Sequence, residues 1–106
     1  MKGYEITFFT HEGRFHESKQ MSEWLVHTAL DLGLRGATVM TGSEGYGHKR
    51  NIHSARFFEP PDNPEEIVMI ANEEETDHLF DHLQKEGAHL FYVKTPVEFG
   101  MLGKPD

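Results

Sequence analysis

Ile67-Val-Met-Ile-Ala-Asn-Glu-Glu-Glu-Thr-Asp-His-Leu-Phe-Asp-His-Leu-Gln-Lys-Glu-Gly87-Ala-His-Leu-Phe-Tyr-Val93 reads as one complete strand, helix and strand. The opening run Ile67 to Ala71 is continuously apolar and partly β-branched, which predicts a strand buried on both faces. Asn72 followed three residues later by Glu75 is a capping-box signature, so the helix is expected to start there. Glu73, Glu74 and Glu75 fall in its first turn, where the helix dipole favours negative charge, and read as a solvated helix start. Thr76, Leu79, Phe80 and Leu83 recur at helical spacing and turn one stripe toward a core. Gly87 can take the left-handed conformation that closes the helix. Leu90 to Val93 then reads as a strand, which Pro96 is expected to break.

The same order occurs earlier in the chain. Tyr4 to Phe9 is rich in aromatic and β-branched residues and predicts a strand. Met21, Trp24, Leu25, Thr28, Ala29 and Leu32 form an apolar helical stripe, with Ser18 as its expected N-cap and Gly33 as its closing residue. Ala37 to Met40 completes the unit. Two such halves give β-α-β, a long connection, then β-α-β. That order is the α+β, ferredoxin-like split β-α-β arrangement (βαββαβ), with an antiparallel sheet and both helices on one face. The other face is left uncovered by its own chain. Buried apolar surface contributes about 25 cal/mol per Å², so an uncovered face carrying Phe, Val and Ile predicts a homo-oligomer with clefts between subunits.

The connection between the halves is where function is expected. It begins Thr41-Gly42-Ser43-Glu44-Gly45-Tyr46-Gly47-His48-Lys49-Arg50-Asn51-Ile52-His53 and runs on to about Pro64. Most connections in compact domains are far shorter, and long ones are usually binding loops or lids. The chain holds 10 Lys plus Arg against 18 Asp plus Glu, and Glu59 to Glu86 has Lys85 as its single base. The connection departs from this balance, with Lys49, Arg50 and Arg56 against Glu44 between Thr41 and Arg56, beside His48 and His53. A net-negative protein repels nucleic acid and anionic membranes, so such a strip suits a small anion better than a polynucleotide. Gly42, Gly45 and Gly47 leave backbone N–H groups open to an anion without Cβ interference. Their Gly-x-x-Gly-x-Gly spacing is neither the dinucleotide fingerprint nor a P-loop. Arg14, His16 and Lys19, between the first strand and first helix, lie where helix-start N–H groups favour phosphate.

With 106 residues, 37% of them hydrophobic and no cysteine, the chain is expected to form one domain over residues 1–106 and to reside in the cytoplasm. No segment is apolar for the ~20 residues of a membrane span, and the start lacks a signal-peptide pattern. The lack of cysteine rules out disulfides, thiolate metal sites and thiol nucleophiles.

Arg35-Gly-Ala-Thr-Val-Met-Thr-Gly-Ser-Glu-Gly-Tyr-Gly-His48, Ile52-His-Ser-Ala-Arg56 and Asp62-Asn-Pro64, in that order, resemble the DUF190 family of PII-like proteins. The similarity runs from the first strand to about Gly100. It implies a single PII-like signalling domain and a homotrimer that holds adenine nucleotides in clefts between subunits. It also implies a loop over residues 42–64 that presses on a membrane transporter or a soluble target. Carried onto this chain, Gly42, Gly45, Tyr46 and Gly47 form the loop base, and His48, Lys49, Arg50, His53 and Arg56 lie in the arm offered to a partner. Gly87 corresponds to the phosphate-side turn. Two departures stand out: His16-Glu-Ser-Lys-Gln-Met21 replaces the usual His-x-Gly-Lys/Arg-Pro-Leu, and Gly87-Ala-His-Leu90 replaces Gly-Asp-Gly-Lys. AMP or ADP is therefore expected rather than ATP, with no catalytic cofactor.

Eight histidines also invite a metal reading. His48 and His53, alone or with His11 and His16, give a CutA-like metal-binding module as the alternative. His78 and His82 share a helix face four residues apart but lack a clear third ligand. A purely structural trimer is a further alternative. Catalysis has little support: no nucleophile elbow is present, and Arg14 with Asn51 offers only a faint acylphosphatase-like pairing. No enzyme activity is expected.

Overall fold

The computed structural model describes residues 1–42, 44–46, 52–54 and 63–105, with the two short segments described for their backbone alone. The elements in chain order are β1 (Lys2–His11), β2 (Phe15–His16), β3 (Lys19–Gln20), α1 (Met21–Asp31), β4 (Ala37–Thr41), β5 (Glu44–Tyr46), β6 (Ile52–Ser54), β7 (Pro64–Asn72), α2 (Glu73–Lys85) and β8 (Phe91–Glu98). The main sheet has the order β4-β7-β1-β8, and every neighbouring pair is antiparallel. Strands β1 and β4 are therefore parallel, with β7 between them and α1 as the crossover. Strands β7 and β8 flank β1 in the same way through α2. Two interleaved split β-α-β units result, as the order of sequence patterns predicts.

Alternation along the central strands builds the core. Ile6 and Phe8 on β1 and Ile67, Met69 and Ala71 on β7 point to the helices and are buried against Trp24, Leu25, Ala29, Leu79 and Leu83. Phe8, Phe80 and Tyr92 join it as an aromatic group, with Phe80 and Tyr92 edge-on at 4.8 Å. Gly3 is required by close approach: a Cβ there would lie 2.1 Å from the Ala71 carbonyl oxygen. Asn72 and Glu75 form the expected capping box, each side chain bonding the other's backbone N–H at 2.8 Å.

Several local expectations are corrected. Strand β7 is not buried on both faces: Glu66 is exposed, and Val68 and Ile70 are half-buried on the face that carries no helix. Its apolar run reflects two different surfaces, the core and the open face. Ser18 does not cap α1. It sits with Glu17 at positive φ, +70° and +51°, in the two-residue turn between β2 and β3. Pairing of Phe15 with Gln20 and His16 with Lys19 leaves only those two residues for the reversal, and such turns demand positive φ. The α1 N-cap is Gln20, which makes no side-chain cap bond, and Met21 N–H donates instead to the Arg14 carbonyl at 2.7 Å. Nor does Pro96 end the last strand: β8 runs through it to Glu98. The strand lies at the sheet edge and hydrogen-bonds only β1, so a missing N–H is tolerated there. The long connection is not wholly irregular either, because β5 and β6 pair antiparallel within it.

The uncovered face carries Phe9, Val68, Ile70, Met40, Phe91 and Val93, as strand register dictates. Phe91 remains 65% exposed and Met40 48% exposed, which leaves an apolar surface open on the side away from the helices.

Candidate functional site

The ends of four strands converge where the expected site residues lie. Strands β1 and β4 finish at this end of the sheet with His11 and Thr41, and β7 and β8 begin there with Pro64 and Phe91. Gly42 N–H donates to the Pro64 carbonyl and Glu12 N–H to the Asn63 carbonyl, both at 2.8 Å, tying the base of the long connection to the sheet. The β2–β3 hairpin and the start of α1 follow β1 at the same end, and the turn at Gly87 precedes β8.

The expected residues fall into two groups. Arg14, His16 and Gly87 meet beside the end of α2. The Arg14 guanidinium donates to the His89 carbonyl, and partial burial pushes its pKa below the usual guanidinium range. The His16 ring lies 4.0 Å from Trp24, whose other neighbour is His82 at 6.3 Å, and His16 Nε2 is 3.5 Å from Glu86 Oε1. Gly87 has φ of +70° and closes α2. Lys19, paired with His16 across the hairpin, is exposed.

Gly42 lies at the opposite edge, beyond β4. Three inter-strand steps of ~4.8 Å separate β4 from β8, about 14 Å across the sheet. Gly45, Tyr46 and His53 lie on β5 and β6, with no side-chain description. Gly47, His48, Lys49, Arg50, Asn51 and Arg56 lie outside the described residues. Of the helix-two histidines, His78 is exposed and His82 stacks on Trp24.

A feature missed in the sequence lies between the two groups. Glu65 is only 7% exposed, paired across the sheet with Thr10 on one side and Thr41 on the other. Burial pushes its carboxyl above the ordinary 4.5 and Glu12 adds to this, while a hydrogen bond from Ser22 and the nearby His11 work against it. Among the described residues, Glu65 Oε1, Thr10 Oγ1 and Asn63 Oδ1 are all buried without a hydrogen-bond partner. Glu65 reads as one more residue of an acidic, solvated segment. Its parity with Ile67 and Met69 is the signal that places it on the core face.

The fold is that of the PII-like proteins. The CPII protein of Thiomonas intermedia K12, solved with ADP, AMP and bicarbonate bound, superimposes with a TM-score of 0.68 at 17% identity, over 95% of this chain and 91% of that one. A putative PII-like signaling protein from Thermus thermophilus gives a TM-score of 0.66 at 18% identity, over 92% and 88% of the two chains. The chain itself belongs to the DUF190 family, described as "Uncharacterized ACR", whose profile matches residues 3–99. It is also 33% identical over 70 residues to a UPF0166 protein of Aquifex aeolicus (strain VF5), covering 66% of this chain and 67% of that one. Among the described residues no helix is long and apolar enough to cross a membrane.

Proposed function

We propose that the protein is a PII-like regulator that binds an adenine nucleotide, AMP or ADP in preference to ATP, in clefts between the subunits of a homotrimer. The observation that carries this reading is the division of the site. The start of the long connection at Gly42 and the Arg14, His16 and Gly87 group occupy opposite edges of one sheet end, so each edge of a protomer offers only part of a site. Packing the β4 edge of one copy beside the β8 edge of another brings the groups together, and the open apolar face supplies the drive for association. CPII, which shares the fold, holds ADP and AMP, and this supports the ligand class.

In this mechanism the ligand's phosphates meet Arg14 and backbone N–H groups of the long connection after Gly42, whose own N–H is held by the Pro64 carbonyl. The unpartnered oxygens of Thr10, Asn63 and Glu65 provide acceptors for ligand N–H or O–H groups. Residues 42–64 then favour one conformation and present His48, Lys49, Arg50, His53 and Arg56 to a partner in the cytoplasm, either a membrane transporter or a soluble protein. The shift in loop population is bounded by the ligand's preference between loop states. Chemistry on the nucleotide is not part of this role.

Titration calorimetry with AMP, ADP and ATP, together with light scattering for subunit number, tests the reading. Saturable heat with AMP or ADP and a trimeric mass are expected. A monomer, or silence with all three nucleotides, would overturn it.

A further inference from the structure

We propose that His16, Glu17 and Glu86 form a site for a divalent transition-metal ion of the zinc class, built where the β2–β3 hairpin meets the end of α2. One ligand atom from each residue lies within 4.8 Å of the others. A tetrahedral ion with bonds of ~2.0–2.1 Å keeps its ligands about 3.3 Å apart. The His16 Nε2 to Glu86 Oε1 separation of 3.5 Å already matches that span, so only the exposed Glu17 side chain at the hairpin tip has to swing inward.

A second observation comes from the imidazole itself. His16 Nε2 is shielded from solvent and makes no hydrogen bond among the described residues, an arrangement that costs free energy unless an ion, water or proton fills the gap. Trp24, 7% exposed and 4.0 Å from the ring, holds the imidazole in place. One imidazole nitrogen with two carboxylates suits zinc, manganese, iron(II) or cobalt better than magnesium or calcium, which prefer all-oxygen sites. Charge points the same way, since the two carboxylates beside His16 attract a cation.

Trp24 is the only tryptophan in the chain, so the site carries its own reporter. Co²⁺ is titrated into the full chain without nucleotide while tryptophan emission is followed, and Zn²⁺ is then added in competition. Saturable quenching that Zn²⁺ reverses is expected. Affinity should fall at least ~10-fold in Glu86→Gln and in His16→Gln, because loss of an outer-shell partner alone costs a metal site roughly 10- to 100-fold. Glu17→Gln, at an exposed turn, gives a third variant whose fold is not at risk. The double variant His48→Ala/His53→Ala should quench as the parent does, which separates this site from loop histidines. Quenching that fails to saturate by millimolar Co²⁺, that survives both Glu86→Gln and Glu17→Gln, or that vanishes in the loop variant overturns the proposal. Calorimetry with AMP is independent of this readout, so failure of nucleotide binding leaves the metal test standing.

Discussion

The two ends of the sheet are built on opposite rules. At the end where β1 starts and β8 stops, polar groups are satisfied: Asn72 and Glu75 cap each other, Arg35 bridges Glu75 and lies 4.9 Å over the Phe99 ring, and Met1 and Phe99 exchange backbone hydrogen bonds at 2.8 and 2.9 Å. At the other end lie Thr10 Oγ1, His16 Nε2, Asn63 Oδ1 and Glu65 Oε1, buried and without a hydrogen bond among the described residues. Native proteins rarely leave such atoms unpaired without a reason, so the contrast separates an end built for stability from an end with unfilled hydrogen-bonding capacity.

The sharpest way to break that contrast is at the stable end. Gly3→Ala forces a methyl into the Ala71 carbonyl, and backbone on backbone cannot yield as a flexible side chain would. A loss of about 1–3 kcal/mol or more is expected in urea unfolding, the cost typical of overpacking. A midpoint unchanged from the parent would mean that the two strands are not held so close.

Substitution at the other end should spare stability and strike binding. Arg14→Ala removes a cation and its bond to the His89 carbonyl. A charged hydrogen bond contributes about 1.5–3 kcal/mol, so losing one from Arg14 to a phosphate should weaken AMP or ADP affinity by calorimetry roughly 10- to 100-fold, while loss of the exposed bond to His89 alters the melting temperature little. Loss of stability with unaltered affinity would move Arg14 from the ligand to the scaffold.

A smaller effect is expected from Asn72→Ala, which deletes half of the capping box and should cost about 0.5–2 kcal/mol without altering ligand affinity. Thermal unfolding alongside calorimetry checks both halves of that statement. A weakened nucleotide affinity in this variant would show that the ends are coupled rather than separate.

The stable end was also the readable one. Asn72 and Glu75 act through neighbours in sequence, so their roles follow from local chemistry. The split β-α-β order was legible too, because apolar alternation and helical stripes survive in a single sequence. Ser18 misleads because cross-strand pairing of Phe15 with Gln20, absent from any local pattern, turns a good N-cap residue into a hairpin tip. Pro96 misleads because an edge position cannot be told from a central one without the strand order. The candidate site was legible only in its glycines and cations. Its meeting of Arg14 with His89 and of His16 with Glu86 spans some seventy residues of sequence.

Glu65 offers the most delicate test, because there the contrast depends on pH. Its carboxyl is held above the ordinary 4.5 chiefly by burial, so the folded protein binds the proton more tightly than the unfolded chain does. A group raised in this way contributes stability that is complete below its unfolded pKa and is lost as pH climbs through the folded value. Above the folded value the parent therefore carries a buried, partly unpartnered carboxylate that the neutral amide of Glu65→Gln avoids. Urea midpoints for parent and variant, measured at about pH 4 and about pH 7 to bracket that loss, should differ in the variant's favour more at the higher pH than at the lower. A gap of equal size at both values would mean that the carboxylate is already compensated, and that this end of the sheet is less unsatisfied than its geometry implies.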